Sequence, residues 1–88
     1  MASDVVMPKL GLLMKEGTVL EWQVKEGELV KENQVIAVIE SDKTAFDLES
    51  RHAGILHIVV PEGATVPVGE LLGRVAESQE DYARTKGG

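Results

Sequence analysis

Short apolar segments alternate with turns marked by glycine or proline along most of this chain. In residues 45–49, Phe46 and Leu48 fall on one face of an extended chain, while Asp47 and Glu49 fall on the other. Segments of this length and spacing are typical of an all-β domain. The predicted strands cover residues 5–7, 18–24, 29–30, 35–40, 45–49, 55–60 and 71–75.

The strand pattern ends after residue 77. Residues 78–88 are polar and have no hydrophobic face, so they predict a flexible tail or the start of an interdomain linker. Ser78 could cap a short helix with Asp81 three residues later, but a helix this short is marginal by itself. We therefore expect one folded domain over residues 1–77.

The predicted strands also form an internal repeat. An offset of 36 places residues 18–41 over residues 54–77, and the clearest shared sequence is Val-x-Glu-Gly-x-x-Val. Two similar halves predict a small β-sandwich or flattened barrel with approximate twofold symmetry. The identical pairs are Leu20 and Leu56, Val24 and Val60, Glu26 and Glu62, Gly27 and Gly63, and Val30 and Val66.

A lysine stands where the two halves join. Ser41, Asp42, Lys43 and Thr44 separate two predicted strands, which indicates a tight hairpin with Lys43 at its tip. If Phe46 and Leu48 face the core, Lys43 is expected beyond the sheet and exposed to water. A lysine in a turn is usually only a solvated charge, so the position alone does not establish a site.

Composition and charge narrow the possible partners. The chain has 88 residues, enough for one small domain, and its net charge of −6 disfavours nucleic acid and anionic membranes as partners. There is no cysteine, which fits a reducing compartment; we expect the cytoplasm, or the mitochondrial matrix in a eukaryote. The longest apolar run, residues 35–39, is far too short to span a membrane. The first residues lack the features of a signal peptide.

The residues offer no enzyme active site. His52 and His57 are too few for a zinc centre, since no cysteine is present to complete one. Acids on both sides of Lys43 favour its charged form, whereas an amine that forms Schiff bases needs a lowered pKa. If Lys43 has a function, it is as an attachment point that another enzyme modifies.

Taken together, these segments resemble the lipoyl domains of the biotinyl/lipoyl attachment family. The likeness covers residues 5–76, and each of its pieces falls in the family's order. The pieces are Met-Pro-Lys-Leu-Gly at 7–11, Met-Lys-Glu-Gly-Thr-Val at 14–19, Trp22, Val-Lys-Glu-Gly-Glu-Leu-Val at 24–30, Ile-Glu-Ser-Asp-Lys-Thr at 39–44, Gly-Ile-Leu at 54–56, Pro-Glu-Gly at 61–63 and Val-Pro-Val-Gly at 66–69.

The resemblance implies a fold and a cofactor. The fold is all-β, a flattened barrel or sandwich of two four-stranded antiparallel sheets with pseudo-twofold symmetry, also called a barrel-sandwich hybrid or hammerhead. The cofactor is lipoate, joined by an amide to Lys43, with Asp42 and Thr44 as the flanks that a lipoate ligase or lipoyltransferase would recognise.

The resemblance also implies partners. The lipoyl group would accept an acyl group from a thiamine-diphosphate-dependent dehydrogenase and deliver it to coenzyme A at an acyltransferase core. Dihydrolipoamide dehydrogenase would then reoxidise the dithiol. The domain itself would be a non-catalytic, monomeric carrier, part of a dihydrolipoamide acyltransferase in a pyruvate- or acetoin-type complex.

Other readings of the sequence stay open. A biotin carrier domain has the same fold, although its lysine usually lies between two methionines rather than between Asp42 and Thr44. An unmodified structural hammerhead domain is a third possibility. We also hypothesise that residues 10–16 help to recognise the thiamine enzyme, because Leu12, Leu13 and Met14 are an unusual trio for an exposed loop. The alternative is that these three side chains fold back onto the core.

Overall fold

The structure is a computed structural model that describes residues 2–42 and 44–87. Over these residues the chain forms eight strands followed by one helix. The elements are β1 (Ser3–Val6), β2 (Glu16–Trp22), β3 (Leu29–Val30), β4 (Val35–Glu40), β5 (Ala45–Glu49), β6 (Gly54–Ile58), β7 (Thr65–Pro67), β8 (Leu71–Ala76) and α1 (Gln79–Gly87).

The strands form two four-stranded sheets, with the orders β1-β8-β6-β3 and β5-β4-β2-β7. Every paired strand is antiparallel to its neighbour. The expected pair of four-stranded antiparallel sheets is therefore confirmed. The sheets remain separate and do not close into a barrel, so the sandwich rather than the barrel describes this chain.

The internal repeat is visible in the sheets. Exchanging β2 with β6, β3 with β7, β4 with β8 and β5 with β1 converts one sheet order into the other. The shared Glu-Gly phrase forms equivalent turns, in which Gly27 and Gly63 have φ angles of 82° and 88°. Glycine adopts positive φ without the steric penalty of a Cβ atom. The repeat predicted from the sequence thus corresponds to a pseudo-twofold structure.

Two of the three irregularities in the sheets also follow this symmetry. The pairing of β4 with β5 shifts by one residue at Ile36, and the pairing of β8 with β1 shifts by one residue at Leu72. These two residues are 36 positions apart, and both are fully buried. A third bulge, at Leu20 between β2 and β4, has no counterpart in the pairing of β6 with β8. A bulge bends its strand, so the paired bulges curve both sheets alike.

The core between the sheets is almost entirely aliphatic. Val19, Ile39 and Leu72 are completely inaccessible to solvent and belong to one cluster with Met7. Such side chains each stabilise the fold by roughly 1.5–3 kcal/mol when buried. The indole N–H of Trp22 donates a hydrogen bond of 2.8 Å to the Val60 carbonyl, so this half-buried ring keeps its polar atom satisfied.

The segment expected to be a flexible tail contains helix α1. Ser78 caps the first turn of the helix, as the sequence suggested. The Asp81 backbone N–H donates a hydrogen bond of 3.1 Å to the Ser78 hydroxyl. The helix contacts β6 and β8, and Tyr82 anchors it by a hydrogen bond to Glu26. Packing therefore supplies the stability that so short a helix lacks by itself. Residues 79–87 are helical, whereas the domain boundary after residue 77 and the role of residues 78–88 as a tail or the start of an interdomain linker stay predictions.

Candidate functional site

The hairpin between β4 and β5 joins the two halves of the chain. Its strand pairing continues as far as Glu40 opposite Ala45. Beyond that pair, the backbone N–H of Ser41 donates to the Thr44 carbonyl at 2.8 Å, and the Ser41 hydroxyl donates to the same oxygen at 3.2 Å. The backbone on both sides of the turn is therefore fixed by hydrogen bonds.

The predicted attachment residue, Lys43, lies outside the described residues. The structure places its two predicted recognition flanks, Asp42 and Thr44, and both side chains are exposed. The Thr44 hydroxyl also lies within hydrogen-bonding distance, 3.3 Å, of the Ala45 carbonyl. A modifying enzyme can therefore reach both flanks.

A polar groove lies on one side of the hairpin. It has a volume of about 400 Å³ and is lined by the hairpin together with Glu16, Thr18, Glu40 and Thr65. The hydroxyls of Thr18 and Thr65 are hydrogen-bonded at 2.7 Å across the β2–β7 pair. The carboxylates of Glu16, Glu40 and Asp42 make this face of the hairpin acidic.

A second groove on the hairpin is mainly apolar. It has a volume of about 730 Å³. Met14 and Phe46 are half-buried and pack against the core, whereas Leu10 and Leu13 are exposed. Its lining residues are Leu10, Gly11, Leu13, Met14, Lys15, Glu16, Ser41, Asp42, Thr44 and Phe46.

The loop from Leu10 to Glu16 exposes two of its three consecutive apolar side chains. A turn closes it, in which the Met14 N–H donates to the Gly11 carbonyl at 3.2 Å. Leu12 and Leu13 are 93% and 88% exposed, while Met14 packs against the core. Two of the three side chains are therefore available to a ligand or partner, and only the third folds back.

The sequence did not reveal that this loop lies beside the hairpin. The two meet because β2, which follows the loop, pairs with β4 and places Thr18 opposite Glu40. Strand alternation identifies a strand and its faces but not its neighbour, so Glu16, Thr65 and Phe46 were not assigned to this region.

A cluster of titratable groups lies on the sheet away from the hairpin. Glu26 accepts hydrogen bonds from the Tyr82 hydroxyl at 2.6 Å and from the Ile58 N–H at 2.7 Å, and His57 Nδ1 lies 3.0 Å from the same carboxylate. Burial raises the pKa of Glu26, but these hydrogen bonds outweigh it and hold the pKa below its usual value. The cluster ties α1 to the sheet and faces neither groove.

The described residues contain no group of three or more side chains that could hold a metal ion. His52 is exposed, and its backbone, rather than its ring, is hydrogen-bonded to Ser50. Among the residues that the structure describes, no helix has the length and apolar character needed to cross a membrane.

Comparison with known sequences identifies the family. The sequence model of the Biotin_lipoyl family, described as "Biotin-requiring enzyme", matches residues 3–75. The chain is 42% identical over 86 residues to the dihydrolipoyllysine-residue acetyltransferase component of the pyruvate dehydrogenase complex of Zymomonas mobilis, an alignment that covers 96% of this chain and 20% of that protein. It is 38% identical over 88 residues to the acetyltransferase component of the acetoin cleaving system of Bacillus subtilis, covering 99% of this chain and 22% of that protein. The chain thus spans about a fifth of the length of these curated relatives.

A solved structure gives the same answer. The solution structure of the lipoyl domain of the 2-oxoglutarate dehydrogenase complex from Azotobacter vinelandii superposes with a TM-score of 0.71 at 38% identity, covering 85% of this chain and 96% of that one. From the family match over residues 3–75 and this shared fold, the chain belongs to the biotin/lipoyl attachment family and is one of its lipoyl domains.

Proposed function

We propose that Lys43 carries a lipoyl group, joined by an amide to its side-chain nitrogen. One observation supports this most strongly. Lys43 stands in the sequence between Asp42 and Thr44, two exposed residues at the point where β4 returns as β5. The residues present fit a lipoyl group. An amide needs only an accessible amine, and the exposed side chains of Asp42 and Thr44 leave the turn open to a ligase.

The chain's own residues position the group and do not react with it. When bound, the lipoyl dithiolane supplies acyl transfer and disulfide exchange. The hydrogen bonds between Ser41 and Thr44 hold the end of the β4–β5 hairpin, so these residues on either side of the attachment position keep a fixed place relative to both strands. Tethering raises the effective concentration of the group at each partner's active site. The domain itself acts as a non-catalytic carrier.

We also propose the partners of this domain from the complexes to which its relatives belong. A lipoate ligase or lipoyltransferase would attach the group. A thiamine-diphosphate-dependent dehydrogenase, an acyltransferase core and dihydrolipoamide dehydrogenase would use it in turn. We propose a dihydrolipoamide acyltransferase as the parent chain, in a pyruvate- or acetoin-type complex, because relatives from both systems match nearly the full chain. The compartment proposed is the cytoplasm, or the mitochondrial matrix in a eukaryote.

A biotin carrier domain is the second candidate, because the matching family includes both kinds of attachment. Asp42 and Thr44 favour lipoate, since biotin carriers resemble one another in having methionine on both sides of the lysine. The fold does not distinguish the two cofactors, whereas a modification assay does.

The test is co-expression of this chain with a lipoate ligase and lipoate, followed by intact-mass measurement. Lys43→Arg is the test variant, and Lys31→Arg is the matched control because Lys31 is an exposed lysine next to the turn between β3 and β4. We expect one lipoyl addition on the wild type and on Lys31→Arg, and none on Lys43→Arg. The amide removes one positive charge, so the net charge of −6 becomes more negative by one and the modified chain migrates faster on a native gel.

Two results would overturn parts of the proposal. Addition to Lys43→Arg would move the attachment site to another lysine. A folded wild type that takes no lipoyl group would not be a lipoyl acceptor under these conditions, and the same assay with biotin ligase would then separate a biotin carrier from an unmodified domain.

A further inference from the structure

The two grooves beside the hairpin differ in chemistry. Both are lined by Glu16, Ser41, Asp42 and Thr44, so each one reaches the residues that flank the attachment position. One continues into the carboxylate of Glu40 and the hydroxyls of Thr18 and Thr65. The other continues into Leu13, Met14 and Phe46, together with Leu10. A group attached between the flanks therefore has a polar surface on one side and a mainly apolar surface on the other.

We propose that the apolar groove formed by Leu10, Leu13, Met14 and Phe46 is the resting site of the lipoyl group carried by the same chain. The inference rests on the proposed function, since it needs the group to be attached at Lys43. The ligand class is a medium-length aliphatic acyl chain that ends in a cyclic disulfide. Such a chain has no charge to pair with the carboxylates of the polar groove, but it can remove Leu13 and Leu10 from water.

The exposure of Leu10 and Leu13 supports the lipoyl group as the ligand of this groove. Leu13 is 88% exposed and Leu10 is 59% exposed, although Met14 and Phe46 beneath the same groove pack on the core. An exposed apolar surface on a small domain commonly marks a binding site. Here the surface begins at the flanks of the modified residue, so the tethered group reaches it without any association step.

Tethering also explains how a shallow groove can be sufficient. A ligand that is already attached is present at a high effective concentration, so a weak contact gives substantial occupancy. The same weakness allows the group to leave readily when a partner enzyme binds. The groove would thus hold the group near the hairpin between visits to partners and shield the dithiolane from solvent.

The experiment uses the chain after lipoylation with ¹³C-labelled lipoate, checked first by intact mass. We expect nuclear Overhauser cross-peaks between the lipoyl methylenes and the side chains of Leu13 and Phe46, together with slower methylene motion than in free lipoyl-lysine amide. Leu13→Ser should lose these cross-peaks and release the motion. Leu12→Ser is the matched control, because Leu12 is a neighbouring leucine, 93% exposed, that does not line the groove.

Each other outcome overturns the inference in a recognisable way. Methylene motion equal to that of the free amide, or equal effects of Leu13→Ser and Leu12→Ser, means that the groove does not hold the group. Cross-peaks that weaken on dilution of the protein mean that a second copy supplies the contact. Failure of the mass check is a failure of the proposed function instead, so the two proposals are tested separately.

Discussion

The hydroxyl of Tyr82 donates a hydrogen bond of 2.6 Å to the carboxylate of Glu26, 56 residues earlier in the chain. This contact joins α1 to the turn that follows β2, and the Tyr82 hydroxyl lies 3.2 Å from where a Cβ on Gly27 would be. The Tyr82 ring also stands edge-on to His57, with ring centroids 6.4 Å apart. Helix α1 is therefore fastened to the rest of the fold by one hydrogen bond and one aromatic contact of Tyr82.

Tyr82→Phe should lower the free energy of unfolding by about 1 kcal/mol. A hydrogen bond to a charged group contributes more than this when buried, and the partial exposure of Glu26 reduces it. Urea unfolding monitored by Trp22 fluorescence measures the difference. Glu80→Gln is the control, because Glu80 lies on the same helix and is exposed. Equal stability of Tyr82→Phe and the wild type would show that the helix is not held by this bond.

The contribution of that bond should depend on pH at both ends of the scale. The pKa of Glu26 lies below its usual value of 4.5 in the folded chain. The stabilisation that needs ionised Glu26 is therefore fully present above pH 4.5 and is lost as the pH falls through the folded pKa. The hydrogen bond to Glu26 raises the pKa of Tyr82 above its usual value of 10.0. The stabilisation that needs the protonated Tyr82 hydroxyl is therefore fully present below pH 10.0 and is lost as the pH rises through the folded pKa.

The difference in unfolding free energy between the wild type and Tyr82→Phe should therefore be largest between pH 4.5 and 10.0. It should shrink in more acidic and in more alkaline solution. The pKa of Asp81 is also lowered, first by the hydrogen bond from the Glu77 N–H, but this group is present in both proteins and cancels in the difference. A difference that stays constant from acid to alkali would contradict the assignment.

A glycine at the start of β6 should tolerate no side chain. A Cβ on Gly54 would lie 2.1 Å from the Ala76 carbonyl oxygen, which is backbone and cannot move without disturbing the β6–β8 pair. We expect Gly54→Ala to cost about 3 kcal/mol of stability. Gly11→Ala is the control, since a Cβ there meets nothing within 4 Å, and it should change stability by no more than about 0.5 kcal/mol. Similar melting temperatures for the two variants would contradict the clash.

The strands could be predicted because their signal is local. The expected inward positions Phe46 and Leu48 are half-buried, and residues 45, 47 and 49 between them are exposed, which confirms that expectation. Strand β7 was not predicted from the pattern, since its three residues end in proline and are too few to show alternation. The repeat supplied what local patterns lack, because it related segments 36 residues apart.

The remaining features depend on contacts that no short window contains. Helix α1 has little amphipathic character, and its anchor is a single hydroxyl that reaches Glu26. The bulge at Leu20 shifts the register of β2 against β4, so Thr18 pairs with Glu40, whereas Ile55, one residue after the equivalent of Thr18, pairs with Ala76, the equivalent of Glu40. The grooves beside the hairpin likewise arise from the β2–β4 pairing. Sequence alone identified the hairpin but not the surfaces around it.

Exchanging Asp42 and Lys43 should abolish lipoylation without changing the fold. The double variant keeps the composition and the net charge of −6, and the hydrogen bonds between Ser41 and Thr44 fix the register of the hairpin. The lysine therefore moves by one position relative to the strands and to both grooves, and a ligase that recognises the position as well as the residue would find no amine there. Intact mass after co-expression with the ligase measures the outcome, and circular dichroism checks the fold. Full lipoylation of the exchanged variant would show that the ligase needs only an exposed lysine in this turn, and the roles proposed for Asp42 and Thr44 as recognition flanks would then be wrong.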